Sequence, residues 1–297
     1  MRHLSRNFHS IHYSSVNGKR IYEALQDTRP DRKKLMLLYL EQLQKEAAPT
    51  EHILVAIDHT AWGRRDAKTL QDRTHEYQRG VIVGQGYSTI AWIPEAGGSW
   101  ALPLLHERIS SGSSPILQAA SQLKLVCEQS VNPVLAVLDR EYGNASWVLA
   151  LTQADIPADC LMRVRKNAGL WSAPPAYNGR GRPPKHGQKM RLNDPTTWLQ
   201  ANTEIEIDEH PDLGKVLLRQ WIDLHFYRAP GQKVNLILAL KNQAYVKWSA
   251  ISTLMVGLGG RTNSTPRNSL VQIFTTFWMR SLVSVCFRND CIGHCLI

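Results

Sequence analysis

Residues 52–58 read His-Ile-Leu-Val-Ala-Ile-Asp: a short apolar run, rich in β-formers, stopped by an acid. Such a run is the signature of a strand buried on both faces. A second copy of the pattern occurs at Pro133–Leu138 (PVLAVL), again followed by an aspartate, Asp139. Between the two, Gly80–Ile93 (GVIVGQGYSTIAWI) and Ser99–Glu107 (SWALPLLHE) read as strands, and Pro94-Glu95-Ala96-Gly97-Gly98 joins them as a hairpin turn. Ser114-Pro115 opens a helix to about Gln129, with Ile116, Ala119, Ala120, Leu123 and Cys127 on one face. Asn144 caps a helix to about Gln153, and Cys160–Arg165 (CLMRVR) is a further strand. The order β, β-hairpin, α, β, α, β predicts a mixed α/β sheet.

Outward from this core, residues 19–47 read as helix, with Leu35, Met36, Leu38, Leu40 and Leu43 at near-helical spacing and Ala48-Pro49 ending it. Residues 1–18 have no periodicity. Residues 203–240 (TEIEIDE, KVLLRQWIDLHFY, KVNLILAL) look all-β, an insertion into the sheet or a continuation of it. The domain reading is a segment 1–48, a main domain 49–246 with a basic loop at 163–202 and a β-rich part at 203–240, and an aberrant tail 247–297.

Charge narrows the function. Of 297 residues, 35 are Lys or Arg and 25 Asp or Glu, a formal net charge of +10. That excess points to a polyanionic partner, nucleic acid ahead of a membrane surface. The five cysteines, at 127, 160, 286, 291 and 295, lack CxxC pairing, which argues against a disulfide scaffold or zinc ribbon and fits a reducing cytoplasm. No apolar run reaches transmembrane length, and the basic start MRHLSRNFHSIHYSS has no apolar signal core.

The cations concentrate at 163–191 (RVRKNAGLWSAPPAYNGRGRPPKHGQKMR), which holds Arg163, Arg165, Lys166, Arg180, Arg182, Lys185, Lys189 and Arg191 and no acid. Lys and Arg neutralise phosphates, and Gly and Pro keep a loop open. Trp171 or Tyr177 offers a ring for an unpaired base, and RGRPPKHG suits a minor groove. A solvated linker would share this composition.

The two aspartates carry the chemistry. Carboxylates at strand ends line the functional crevice of an α/β sheet, and two of them suit hard divalent cations such as Mg²⁺. A pair of such ions activates water or a 3′-hydroxyl in phosphodiester cleavage. Strand-terminal aspartates also serve as turn formers or helix caps. Histidines are scattered, and Ser88 and Cys127 have no nearby base pattern for a nucleophile.

The blocks Asp58-x-Thr60-x-Trp62, GYST at 86–89, SWALPLLHERI at 99–109 and VLDREYG at 137–143 together resemble the DDE transposases of bacterial insertion sequences, over roughly residues 20–245. The resemblance implies a ribonuclease-H-like mixed sheet with flanking helices, a β-rich insertion and a short N-terminal helical segment. It implies Asp58 as the first metal ligand and Asp139 as the second, at the end of the fourth strand. His59, Thr60, Trp62, Arg64, Arg140 and Tyr142 would line the cleft. It further implies Mg²⁺ (or Mn²⁺), double-stranded DNA at element ends and target, a homo-oligomer on DNA, no membrane partner, and a cytoplasmic, nucleoid-associated location. A stand-alone nuclease and a non-catalytic DNA-binding remnant are the alternatives.

The family's third acid lies on a later helix within Y-x2-R-x3-E-x6-K, a pattern this chain lacks. Leu224 to Asn289 contains no Asp or Glu, and three cysteines fall at 286, 291 and 295. Codons permissible for Met255–Phe287, read one base later, can spell Y-x2-R-x3-D, with the acid encoded across Arg280 and Ser281. The expectation is a frameshift near 242–254 that removed the third acid and left a catalytically defective transposase. If the tail is genuine, the third ligand lies among Glu141, Asp223 and Asp290.

Overall fold

The computed structural model describes residues 31–46, 52–77, 80–93, 101–210, 214–241 and 254–258. Among these, the elements are α1 (Arg32–Glu46), β1 (Ile53–Gly63), β2 (Thr74–Tyr77), β3 (Val81–Trp92), β4 (Leu102–Arg108), α2 (Pro115–Gln129), β5 (Val134–Gly143), α3 (Ala145–Gln153), β6 (Ala158–Val164), β7 (Gly169–Trp171), β8 (Lys189–Arg191), a 3₁₀ turn at Pro195–Thr197, β9 (Thr203–His210), β10 (Gly214–Phe226), β11 (Val234–Lys241) and β12 (Leu254–Leu258). The fold is a mixed α/β sheet with flanking helices, as expected.

The strand order is β2-β3-β1-β5-β6-β12-β11-β10-β7-β8, with β4 beside β3 and β9 beside β10. β1, β5 and β6 are parallel neighbours, and β3 lies antiparallel to β1. β3 and β4 pair antiparallel as a hairpin requires, while the turn residues Pro94–Gly98 lie outside the described residues. β2 is an additional strand, short and without apolar periodicity, so it gave no sequence signal. The β-rich part continues the sheet, with β11 reaching β6 through β12. Of the tail at 247–297, only the β12 backbone lies within the described residues.

The larger core lies on the helix side of the sheet. Ile53, Val55, Ile57, Val134, Ala136, Leu138 and Met162 alternate inward there and meet Leu123 and Val126 of α2 and Trp147 of α3. Full burial of each Ile, Val, Leu or Met among them is worth about 1.5–3 kcal/mol. Met36 and Leu40 of α1 join this core, whereas Leu35 and Leu38 are exposed. The intervening strand residues Leu54, Leu135, Val137 and Leu161 pack on the opposite side with Val216, Leu218 and Ile237.

Helix starts follow their caps. Ser114 Oγ accepts from Leu117 N–H, and Pro115 sets the first turn of α2. Asn144 Oδ1 accepts from Ser146 N–H and Trp147 N–H to start α3. Its Nδ2 also donates to the Glu141 carbonyl at 2.6 Å, so one side chain ties α3 to the strand residues beside Asp139.

Candidate active site

Neither aspartate ends a strand: β1 runs on to Gly63 and β5 to Gly143. The parallel ladder between them ends instead. Its last pair is Ile57↔Leu138, so Asp58 and Asp139 stand one residue beyond it on neighbouring strands. Past this point β1 stays paired with β3, through Asp58↔Thr89 to Gly63↔Gly84. β5 breaks its regular register, and the advance from Leu138 to Gly143 matches only that from Met162 to Val164 on β6. A bulge of this kind re-aims side chains. Asp139 therefore lies on the fifth strand of the chain, in a bulge rather than at a strand end.

Both carboxylates follow Leu54 and Ala56, or Leu135 and Val137, onto the sheet face away from the helices. Burial raises the Asp58 pKa to about 6, with the Asp139 charge the next cause. Asp139 is also raised, by burial first and then by Glu141, although the Glu141 N–H donates to its Oδ1 at 2.7 Å and Arg140 and Arg163 oppose the shift. Buried carboxylates whose charge is opposed by burial and by neighbouring acids form a site that a cation would relieve. Two oxygen donors of this kind fit a hard divalent ion, which commonly takes one or two carboxylates and completes its shell with phosphates and water. Asp58 and Asp139 would hold it. Among the described residues, no three His, Cys, Asp or Glu side chains form a metal-holding group.

His59 does not face this pair. It lies opposite Ser88, whose hydroxyl donates to Gln122 of α2, so the ring is on the helix side. There Nδ1 lies 3.2 Å from Glu141 and Nε2 3.2 Å from Glu76. Burial opposes charging the ring, but the Glu141 hydrogen bond and the charges of Glu141, Glu76 and Asp58 outweigh it and raise its pKa. Glu76 gave no sequence signal, because the strand carrying it is too short to read.

Tyr142 is also not a cleft residue. It is fully buried, edge-to-face with Trp147 at 5.3 Å, because the bulge turns it into the core. Its hydroxyl has no hydrogen-bond partner, and burial raises its pKa. Thr60 and Trp62 do share the Asp58 face by alternation, Arg64 lies 3.7 Å over the Trp62 ring, and Arg140 is exposed.

Of the alternatives for a third ligand, Glu141 is adjacent but engaged with His59. Asp223 is on β10, four strands from β5 in the sheet order and so about 19 Å away, where it pairs with Lys233 at 3.4 Å. Asp290 lies outside the described residues.

The basic block is not one open loop. Gly169–Trp171 and Lys189–Arg191 pair as β7 and β8, and β7 pairs with β10. Leu170 and Met190 are fully buried and anchor this hairpin. The long loop is 172–188, presenting exposed Arg180, Arg182 and Lys185, with Lys189 and Arg191 exposed on either side of Met190. Arg163 is separate, on β6 and within electrostatic reach of Asp139, while Arg165 and Lys166 are exposed just beyond β6. Trp171 packs against Tyr227 and His186 rather than standing open, whereas Tyr177 is exposed.

No helix among the described residues is long and apolar enough to cross a membrane. No curated protein matches the chain. A solved structure, "Cryo-EM structure of piggyBac transposase synaptic complex with hairpin DNA", is similar over 87% of this chain at 10% identity, with a TM-score of 0.34. The chain spans 45% of that one, and the likeness is too slight to bear on fold or function. Residues 1–220, which carry both aspartates and the whole parallel core, match the family described as DDE superfamily endonuclease, and the chain belongs to that family.

Proposed function

We propose that the chain is an insertion-sequence DNA transposase whose catalytic domain, 49–246, binds a divalent metal ion and DNA but is defective in cleavage for want of a third acid. The observation that carries the reading is the placing of Asp58 and Asp139 side by side where the β1–β5 ladder ends. Endonucleases of this superfamily use divalent ions. Mg²⁺ (or Mn²⁺) at the pair would activate the attacking oxygen and stabilise the leaving one. The chain's own part is to hold the ion with Asp58 and Asp139 and to gather phosphates with Arg163 and the 172–188 arm. The intact reaction is strand cleavage at element ends, followed by attack of the freed 3′-hydroxyl on target DNA. It proceeds in a homo-oligomer on DNA in the cytoplasm, at the nucleoid.

The non-catalytic DNA-binding remnant is favoured by one observation: among the described residues the metal-holding set stops at two. Nicking of supercoiled plasmid in Mg²⁺ separates the readings. The expected result is no Asp58-dependent nicking by the chain as it stands, and nicking by a version whose gene is read one base later from about codon 242. Nicking by the present chain that Asp58→Asn abolishes would overturn the defect. Failure of both versions would overturn the transposase reading.

A further inference from the structure

The face that carries Asp58 continues outward along β1 into an aromatic and cationic strip. Directly opposed pairs share a face, so Asp58, Thr89 and His106 form one row, Thr60, Tyr87 and Arg108 the next, and Trp62 with Gln85 a third. Tyr87 and His106 stack at 5.0 Å with rings parallel to within 1°, and Trp62 stands 6.0 Å from Tyr87. Thr89 Oγ1 lies 2.8 Å from His106 Nδ1 and fixes that ring. Trp62 is 50% exposed although it occupies a strand, and the Arg64 guanidinium covers part of its ring.

The chain directly after Trp62 supplies charge. Arg64, Arg65, Lys68 and Arg73 are all exposed there, and Arg108 is held at the strip's edge by Asp72 at 2.9 Å. Rings set at stacking distance beside clustered cations are the chemistry of a surface for unpaired bases with their phosphates. Trp62 lies four residues from Asp58, about 13 Å along the strand, or roughly four nucleotide steps at duplex rise.

We propose that the Trp62–Tyr87–His106 strip is a stacking platform for unpaired bases of DNA that flank the phosphate lying beside the Asp58–Asp139 pair, where a bound divalent ion would bridge phosphate and carboxylates. The platform is distinct from the 172–188 arm, and the proposal rests on the DNA-binding reading above. It is tested on the full chain in EDTA, so that cleavage plays no part. Fluorescence anisotropy compares a blunt duplex with the same duplex carrying a single-stranded tail. Trp62→Ala is expected to weaken binding of the tailed DNA about tenfold, the size of one lost base–aromatic stack, and to leave the blunt duplex within about twofold. Trp62→Phe, which keeps a ring, restores the tailed affinity and controls for folding. Equal binding of tailed DNA by Trp62→Ala and the parent would overturn the platform alone, as would equal loss on both DNAs. Absence of binding to either DNA by the parent chain would overturn the DNA-binding reading as well.

Discussion

Asp58→Asn is expected to raise the melting temperature at neutral pH by roughly 6–12 °C. Burial and the Asp139 charge hold the Asp58 pKa at about 6, above its unfolded value of 3.8. A raised folded pKa means that the fold prefers the protonated acid. The stabilising contribution is complete below about pH 4 and is lost as pH rises through about 6. At pH 7 the ionised group costs about 3 kcal/mol, which an uncharged amide of the same shape avoids. The gain of the variant over the parent should therefore open between about pH 4 and 6 and stay flat above. Thermal melts of both proteins in EDTA across that range check it. A variant that is less stable than the parent at pH 7 would show that the carboxylate is satisfied within the fold, leaving nothing for a cation to relieve. Residues kept at a cost in stability mark functional sites.

The second large effect is at Gly143. A Cβ there would lie 1.9 Å from the Arg163 carbonyl oxygen and 2.8 Å from its carbon, both backbone atoms of β6. Neither can swing aside, so Gly143→Ala must push β5 from β6 where the bulge rejoins the ladder at Gly143↔Val164. The expected cost is about 3 kcal/mol or more, a fall of roughly 6–12 °C in melting temperature. Gly112→Ala is the control, since nothing lies within 4 Å of its added Cβ and its φ is not positive. Denaturant unfolding of the two variants gives the comparison. Equal stabilities would mean that β5 and β6 are not in this close approach.

The parallel core was legible because its strands are buried on both faces and so read as unbroken apolar runs. HILVAI and PVLAVL announce themselves without help from periodicity. The ends of those strands were not legible. Beyond Ile57 the pattern changes from a solid run to alternation, with Asp58, Thr60 and Trp62 on one face, because β1 loses β5 and keeps only β3. An acid within an alternating strand looks the same in sequence as an acid that ends one. β7 and β8 are three residues each, pinned by Leu170 and Met190, and are too short to stand out within a basic, proline-rich block.

The two strand contexts made Asp58 and Asp139 legible as residues of neighbouring strands, but not what surrounds them. His59 and Glu141 are 82 residues apart in the chain and meet only because the DREY bulge brings Glu141 back toward β1. Tyr142 looks like a cleft residue from its neighbours, and the same bulge buries it. The partners of Trp62 in the aromatic strip come from β3 and β4, so spacing along β1 could not reveal them.

On the proposed function, Asp58 and Asp139 together hold a divalent ion. Titration calorimetry with Mn²⁺ tests it most directly, on the parent chain and on the Asp58→Asn/Asp139→Asn double variant, each with duplex DNA present. The account predicts a saturable Mn²⁺ site in the parent that is absent from the double variant, while both bind DNA. Equal Mn²⁺ binding by the two proteins would contradict it.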